Sequence, residues 1–475
     1  MHNLGIAARP TPRLGQPVLF RRATVVTMNP HDGVLRDTDV LVRNSRIEAV
    51  GRHLEVPANA VVIEADGALL LPGFVDTHRH MWQSALRGVG ADWTLGNYVQ
   101  WIMIKWRHLF RPQDIYAANY MSMVEAVYDG VTTVLDYSHG LRTPEHAEAA
   151  VDALFDVPAR ARFAYGNALA PDLGWVVDGR VDDMLDNRFS STDQLVTMQL
   201  ALDGISPTDE AKAALDFARA RELPIISHAG VFKAYEDAQI AFLHAYGALS
   251  PSYTLVHGGA LSDESFRLIA DSGAHLSISA ESEDSAGQGY PPVSQARRFG
   301  VPISLSMDSV AWWSGDMFSA MRATLNAERA MVHHIAHQQG NVVVNNDTRA
   351  MDVLEYATLG GARALGLDDE IGSITPGKLA DLVLLRNDTP VMTTVHNPAG
   401  HLVFQAGRGD VDTVMINGRV LKYQGRLVGV DLDRARSLVA QSVEYLRSRI
   451  SNAEWEEALI PPPYVARQTW RSQSV

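Results

Sequence analysis

The stretch Leu71-Pro72-Gly73-Phe74-Val75-Asp76-Thr77-His78-Arg79-His80-Met81-Trp82-Gln83 decides the fold. An apolar run broken by Pro-Gly leads into a short strand that ends in His-x-His. Side chains alternate faces along a strand, so His78 and His80 point the same way, about 6–7 Å apart along the chain. Two imidazoles converging from a strand end suit a bound divalent cation. His-x-His is common by itself, so the remaining ligands must come from elsewhere in the chain.

Downstream of Pro72-Gly73, apolar runs recur at residues 74–80, 131–137, 162–166, 195–202, 224–228, 253–257, 274–279 and 301–307. Helix-like stretches lie between them, among them 112–129, 208–221, 262–271 and 292–299. Pro207-Thr208-Asp209-Glu210 and Ser262-Asp263-Glu264 read as helix starts. Eight alternations of buried strand and helix predict a (β/α)₈ barrel of the α/β class. Four of the eight runs end in a potential ligand: His78 and His80, His228, His257 and Asp308. Active sites of such barrels sit at the C-terminal strand ends, so all five residues should converge on one mouth.

The flanks differ in texture. From Pro17 to Leu71, short β-rich runs are separated by Asn, Asp, Gly and Pro, the pattern of a small antiparallel sheet. After a helix predicted over 352–365, β-rich sequence returns and includes the hairpin signal Asn417-Gly418. Residues 1–71 and 371–430 should therefore build one β-sandwich around a barrel at 72–370. Residues 431–475 should hold an amphipathic helix (433–457) and a Pro-rich tail, and residues 1–16 a loose arm. The net charge of −14 argues against nucleic acid or an anionic membrane as the main partner. With no cysteine, any metal site must use His, Asp and Glu. No apolar run has the ~18 residues of a membrane span, and no signal-peptide pattern opens the chain, so the cytoplasm is the expected compartment.

Pro72-Gly73-Phe74-Val75-Asp76-Thr77-His78-x-His80, Leu86-Arg87-Gly88, the Glu125 to Asp136 segment with its Gly-Val-Thr-Thr, Ala357 to Ala362, Ile371 to Asp381 and Val411 to Gly418 resemble the amidohydrolase superfamily. The likeness is to the branch of aromatic-heterocycle deaminases and triazine hydrolases, and runs from about residue 18 to 425. It implies a metal-bearing barrel with His78, His80, His228 and Asp308 as ligands. Asp308 would double as the base for the nucleophilic water, and His257 would orient or polarise the substrate. Related binuclear members bridge two metals with a lysine on the fourth strand. The run 195–202 has none, so one divalent metal per chain is expected, with zinc preferred over iron. The resemblance and an aromatic-rich insert (Trp93, Tyr98, Trp101, Trp106) suggest a homodimer.

One departure matters for the chemistry. Deaminases of this branch carry His-x-x-Glu after the fifth strand, but here the text is His228-Ala229-Gly230-Val231, and valine cannot transfer a proton. Glu281 and Glu283, after the seventh run, are the candidate substitute acids, because alternation puts both on one face if the strand extends that far. Gln83, Trp82 and Trp312 are the candidate substrate contacts, the last two by stacking on a flat ring. The expected function is metal-assisted hydrolysis at an sp² carbon of a small cyclic or heteroaromatic substrate, breaking a non-peptide C–N bond. Dehalogenation, amide or ring opening, or lyase chemistry at the same metal is the alternative, since a good leaving group needs no acid. A binding protein that kept the barrel and lost turnover is the alternative from another class.

Overall fold

Gly73 is where the chain passes from one sheet to another. A Cβ there would lie 2.0 Å from the Thr132 hydroxyl oxygen, so the crossing admits glycine alone. Its N–H donates to the Asp381 carbonyl at 2.9 Å and ties the crossing to the C-terminal part of the chain. The computed structural model describes residues 11–191, 193–231 and 236–461. The expected loose arm falls mostly, and the Pro-rich tail almost wholly, outside these residues.

Five strands precede the crossing: β1 (Val18–Val26), β2 (Val34–Arg43), β3 (Arg46–Gly51), β4 (Val61–Glu64) and β5 (Leu69–Pro72). The barrel strands follow: β6 (Phe74–Arg79), β7 (Val131–Ser138), β8 (Arg160–Gly166), β9 (Val196–Ala201), β10 (Ile225–Ala229), β11 (Tyr253–His257), β12 (His275–Ile278) and β13 (Ile303–Leu305). They pair in sequence order, all parallel. Barrel strands are covered on both faces, which is why they read as continuous apolar runs rather than alternating ones. Inward residues Val75, Leu135, Ala164, Ala201, Ile226 and Val256 form one core, plugged by Ala362, Leu365 and Ile371. The ring closes between its first and last strands by the His80 N–H to the Asp308 carbonyl (2.9 Å) and the Asp308 N–H to the His78 carbonyl (3.0 Å).

β14 (Leu382–Leu385), β15 (Val411–Ile416), β16 (Arg419–Tyr423) and β17 (Arg426–Leu427) complete the accessory unit. β14 pairs antiparallel with β5, so both chain ends enter one mixed sheet in the order β17-β16-β15-β14-β5-β1-β2-β3, with β4 against β1. Phe20, Val40, Ile47, Leu70, Leu382 and Met415 share one core, so the two ends of this path act as the layers of the sandwich.

The C-terminal helix differs from expectation by a break. Leu432–Arg449 ends at Ile450, whose backbone is extended, and Ser451 caps a second helix, Asn452–Leu459, by accepting the Glu454 N–H. This second helix covers the aromatic insert. Trp106 stacks on Trp455 (centroids 5.5 Å apart) and donates to Glu454 Oε1 at 2.9 Å, while Trp93 donates to the Ala458 carbonyl at 2.7 Å. The four aromatic side chains of the insert are therefore buried within their own chain and need no partner subunit to cover them, while Ile104 stays exposed. Among the described residues, no helix is long and apolar enough to cross a membrane.

Candidate active site

The five residues expected at the barrel mouth do meet there. Nitrogen atoms of His78, His80 and His228 lie within 4.8 Å of one another. Asp308 Oδ1 stands 3.4 Å from His78 Nε2 and 3.3 Å from His80 Nε2. The His257 ring lies parallel to that of His228, centroids 5.6 Å apart. Asp308 and His257 both hold left-handed backbone, φ +54° and +79°, which costs about 1–3 kcal/mol for a residue with a Cβ. For Asp308 the closure hydrogen bonds on either side hold the strained turn in place.

Each imidazole is oriented from behind. His80 Nδ1 lies 3.1 Å from the Tyr137 carbonyl, so it carries the proton and Nε2 is left as a lone pair. His228 Nδ1 meets Asp203 Oδ1 at 2.8 Å, and Asp203 also accepts the Tyr137 hydroxyl at 2.6 Å. Burial alone would raise the Asp203 carboxyl, but the neighbouring imidazoles and the Tyr137 hydroxyl bring it well below the usual carboxylate range. His257 Nδ1 is held by Glu283 Oε1 at 3.1 Å, and Glu283 accepts the Ser279 N–H at 2.9 Å. Burial pushes the Glu283 carboxyl up, opposed by His257. Carboxylates or carbonyls behind ligating histidines fix tautomer and ring orientation in metal sites.

A divalent cation fits this donor set. Both ring nitrogens of His78 are buried without a hydrogen-bond partner among the described residues, Asp308 Oδ1 at 3.4 Å from Nε2 being a charge contact only, an arrangement that costs stability unless something accepts the lone pair. Three imidazoles and a carboxylate match zinc or iron, and the absence of cysteine leaves no competing thiolate.

Above these residues opens a cavity of about 670 Å³, walled mainly by apolar side chains such as Leu95, Val99, Met103 and Ile205. Its volume lies within the usual range for small-molecule sites.

The sequence model of the Amidohydrolase family matches residues 69–421. The chain belongs to the amidohydrolase family. A 5-methylthioadenosine/S-adenosylhomocysteine deaminase from Pelotomaculum thermopropionicum is 27% identical over 439 residues, covering 88% of this chain and 96% of that one. A 5′-deoxyadenosine deaminase from Methanothermobacter thermautotrophicus is also 27% identical, covering 83% and 91%. Among solved structures, an adenosine deaminase from Xanthomonas campestris with bound zinc superposes with TM-score 0.78 at 25% identity, covering 92% and 100%. An atrazine chlorohydrolase from Arthrobacter aurescens complexed with zinc reaches 0.78 at 21%, covering 90% and 100%, a likeness that bears on fold alone. This amidohydrolase is thus a metal-dependent hydrolase of carbon–nitrogen bonds other than peptide bonds.

The residues proposed from sequence around the metal set fare unevenly. Trp312 lines the cavity, 8% exposed, with Trp313 stacked on it. Trp82 is wholly buried against Phe110 and His139 and does not line the cavity. Gln83 is also withdrawn: its amide oxygen accepts the Ser309 hydroxyl and its nitrogen donates to the Tyr98 hydroxyl at 2.6 Å. The expected common face of Glu281 and Glu283 is corrected. β12 stops at Ile278 and Ala280–Ala286 is a helix, where residues two apart diverge by about 200°. Glu283 turns to His257, whereas Glu281 accepts the Ser314 hydroxyl at 2.8 Å and lies outside the cavity wall. Val231 does line the cavity, so the position of the family acid faces the site with an apolar side chain. Sequence reasoning missed Asp203 and Tyr98 as site residues and gave His139 little weight. Asp203 directly follows the fourth apolar run, so the strand-end rule reaches it. The same rule reaches His139, which directly follows β7, whereas Tyr98 carries no such mark.

Proposed function

We propose that this amidohydrolase removes an amino group from an sp² ring carbon of a small heteroaromatic substrate of purine or nucleoside type. The observation that carries the reading is the convergence of His78, His80, His228, Asp308 and His257 beneath an apolar cavity of nucleoside size. The site would hold one divalent metal, zinc before iron, in a cytoplasmic homodimer, the dimer resting on the family likeness and not on the aromatic insert. A bound divalent cation supplies Lewis acidity that brings the pKa of water toward neutrality.

The protein's own groups handle the protons. Asp308, held beside His78 and His80, accepts a proton from the attacking water as its oxygen bonds to the ring carbon. His257 presents Nε2 to the cavity, because Nδ1 is engaged by Glu283. It takes that proton over from Asp308 and delivers it to the departing amino group as the C–N bond breaks, releasing ammonia and the hydroxy-substituted ring, with Glu283 stabilising the transient imidazolium. The apolar wall keeps bulk water from competing and strengthens these charges.

Val231 favours a second reading, in which a better leaving group departs without an acid. Zinc- or iron-loaded protein should release ammonia from 5′-deoxyadenosine, methylthioadenosine or adenosine, and Asp308→Ala should abolish the release. Chloride release from chlorinated triazines without ammonia from any purine would instead establish the second reading. Elemental analysis should find about one metal per chain, and light scattering twice the 52.0 kDa chain mass. Two metals per chain, or a monomer at micromolar concentration, would overturn those two assignments.

A further inference from the structure

Behind the cavity wall runs a file of polar side chains that the proton transfers above leave unused. Tyr98, the last residue of the short helix Leu95–Tyr98, lines the cavity and packs its ring 4.6 Å from that of Trp312. Its hydroxyl oxygen lies 2.6 Å from Gln83 Nε2 and 3.1 Å from His139 Nε2. Where the protons sit along this file decides what Tyr98 can offer a ligand.

The neighbours settle both ends. The Ser309 oxygen accepts the Ala311 N–H at 3.1 Å, so its own proton goes to Gln83 Oε1 and the amide turns its N–H toward Tyr98. His139 Nδ1 has two choices: the Trp82 indole N–H at 3.4 Å, or the Tyr137 carbonyl at 3.3 Å. The indole is buried and has no other acceptor among the described residues. The Tyr137 carbonyl already receives the His80 ring and the His139 backbone N–H. Leaving a buried indole N–H unpaired costs about 1–3 kcal/mol, whereas the carbonyl loses little. Nδ1 therefore accepts, Nε2 carries the proton, and that proton points at Tyr98. A phenol oxygen has two lone pairs, and donors now fill both. Its own proton is left without an acceptor among the described residues, and the cavity is the open side.

We propose that Tyr98 is a catalytic hydrogen-bond donor, holding an unprotonated ring nitrogen next to the carbon under attack, with Gln83 and His139 as its positioning residues. The inference rests on the heteroaromatic reading above and narrows it: the substrate must present an acceptor nitrogen, not an N–H, beside the reacting carbon. As water adds, negative charge develops on that nitrogen, and a donor already in place stabilises it without reorganising. No bond to hydrogen breaks at Tyr98. Burial pushes its phenol up, which keeps the donor protonated at neutral pH.

Two arms test this on the zinc-loaded full chain. In the first, selective ¹⁵N-histidine labelling with His139→Gln as the assignment control reads the tautomer without any substrate. Protonated Nε2 with unprotonated Nδ1 is expected. Protonated Nδ1 would overturn the proposal, because the Tyr98 proton would then be spent on His139. In the second, calorimetry compares purine riboside with its 1-deaza counterpart. Wild type should bind the former at least about 10-fold more tightly, and Tyr98→Phe, with metal content and Tm retained, should erase the difference. On any deaminated purine, Tyr98→Phe should lower kcat about 10²–10³-fold, in the range for one such donor, and raise KM by roughly the factor that separates the two probes. Equal wild-type affinity for the two probes would sink the donor role. If neither probe binds, the substrate reading fails by itself and the tautomer decides the proposal.

Discussion

Glu283 acts through another side chain, and that fixes what its substitution should do. It lies behind His257, not in the cavity, so it governs which nitrogen of His257 faces the substrate. Glu283→Gln removes the charge that supports an imidazolium and can present an N–H to Nδ1, reversing the tautomer. Turnover should fall about 100-fold or more, within the range that acid–base groups contribute. Metal content should stay at the wild-type level. Glu281→Gln, which alters only the contact with Ser314, should turn over within a few-fold of wild type. Normal activity in Glu283→Gln would remove His257 from the proton transfers. The metal set was legible because four strand ends carried His or Asp, a coincidence that composition does not produce. Asp203 is equally placed, directly after Leu202, and is legible by the same rule. Tyr98, Gln83 and His139 could not be joined from sequence, since only the fold of the insert brings residue 98 to residues 83 and 139.

At the level of elements, β11 was legible to the residue and the other barrel strands within two residues, because burial on both faces writes itself as apolar runs. What periodicity could not show was where β12 ends: Ser279-Ala280-Glu281-Ser282-Glu283 alternates like a strand and folds as a helix. The union of sheet and barrel carries its own titratable group. Lys422 on β16 is buried, and its Nζ donates at 2.7 Å to the Tyr128 carbonyl near the end of the helix Pro112–Asp129. Burial lowers its pKa from 10.5 to about 8. The folded state therefore releases this proton more readily than the unfolded chain, which keeps it up to about pH 10.5. Stability contributed by Lys422 should rise as pH climbs from about 8 to 10.5 and be constant below that window. Thermal unfolding of Lys422→Met should lack this rise relative to wild type. Parallel curves for the two proteins across that range would show that the ammonium stays protonated in the fold.

For the whole molecule, the sequence announced both architectural units, and it missed the dependence of the aromatic insert on the far end of the chain. Trp93 and Trp106 are roofed by Glu454, Trp455 and Ala458, so the wall that carries Tyr98 rests on residues hundreds of positions away. The barrel seam has a comparable long reach. Its two closing hydrogen bonds join His78, His80 and Asp308, about 230 residues apart, and these are the same residues proposed to grip the cation. Loop closure over that distance comes late in folding, after the local βα units have formed. The metal site can then exist only once the last stave has met the first, so cation uptake reports completion of the ring. In reverse, the grip ties the two lips of the seam, and chelation should let it breathe. Amides of His80 and Asp308 should exchange with deuterium markedly faster in chelator-treated protein, while those in the middle of β8 and β9 change little. Uniform acceleration across all eight strands would mean that the ring opens everywhere at once, with no seam to latch.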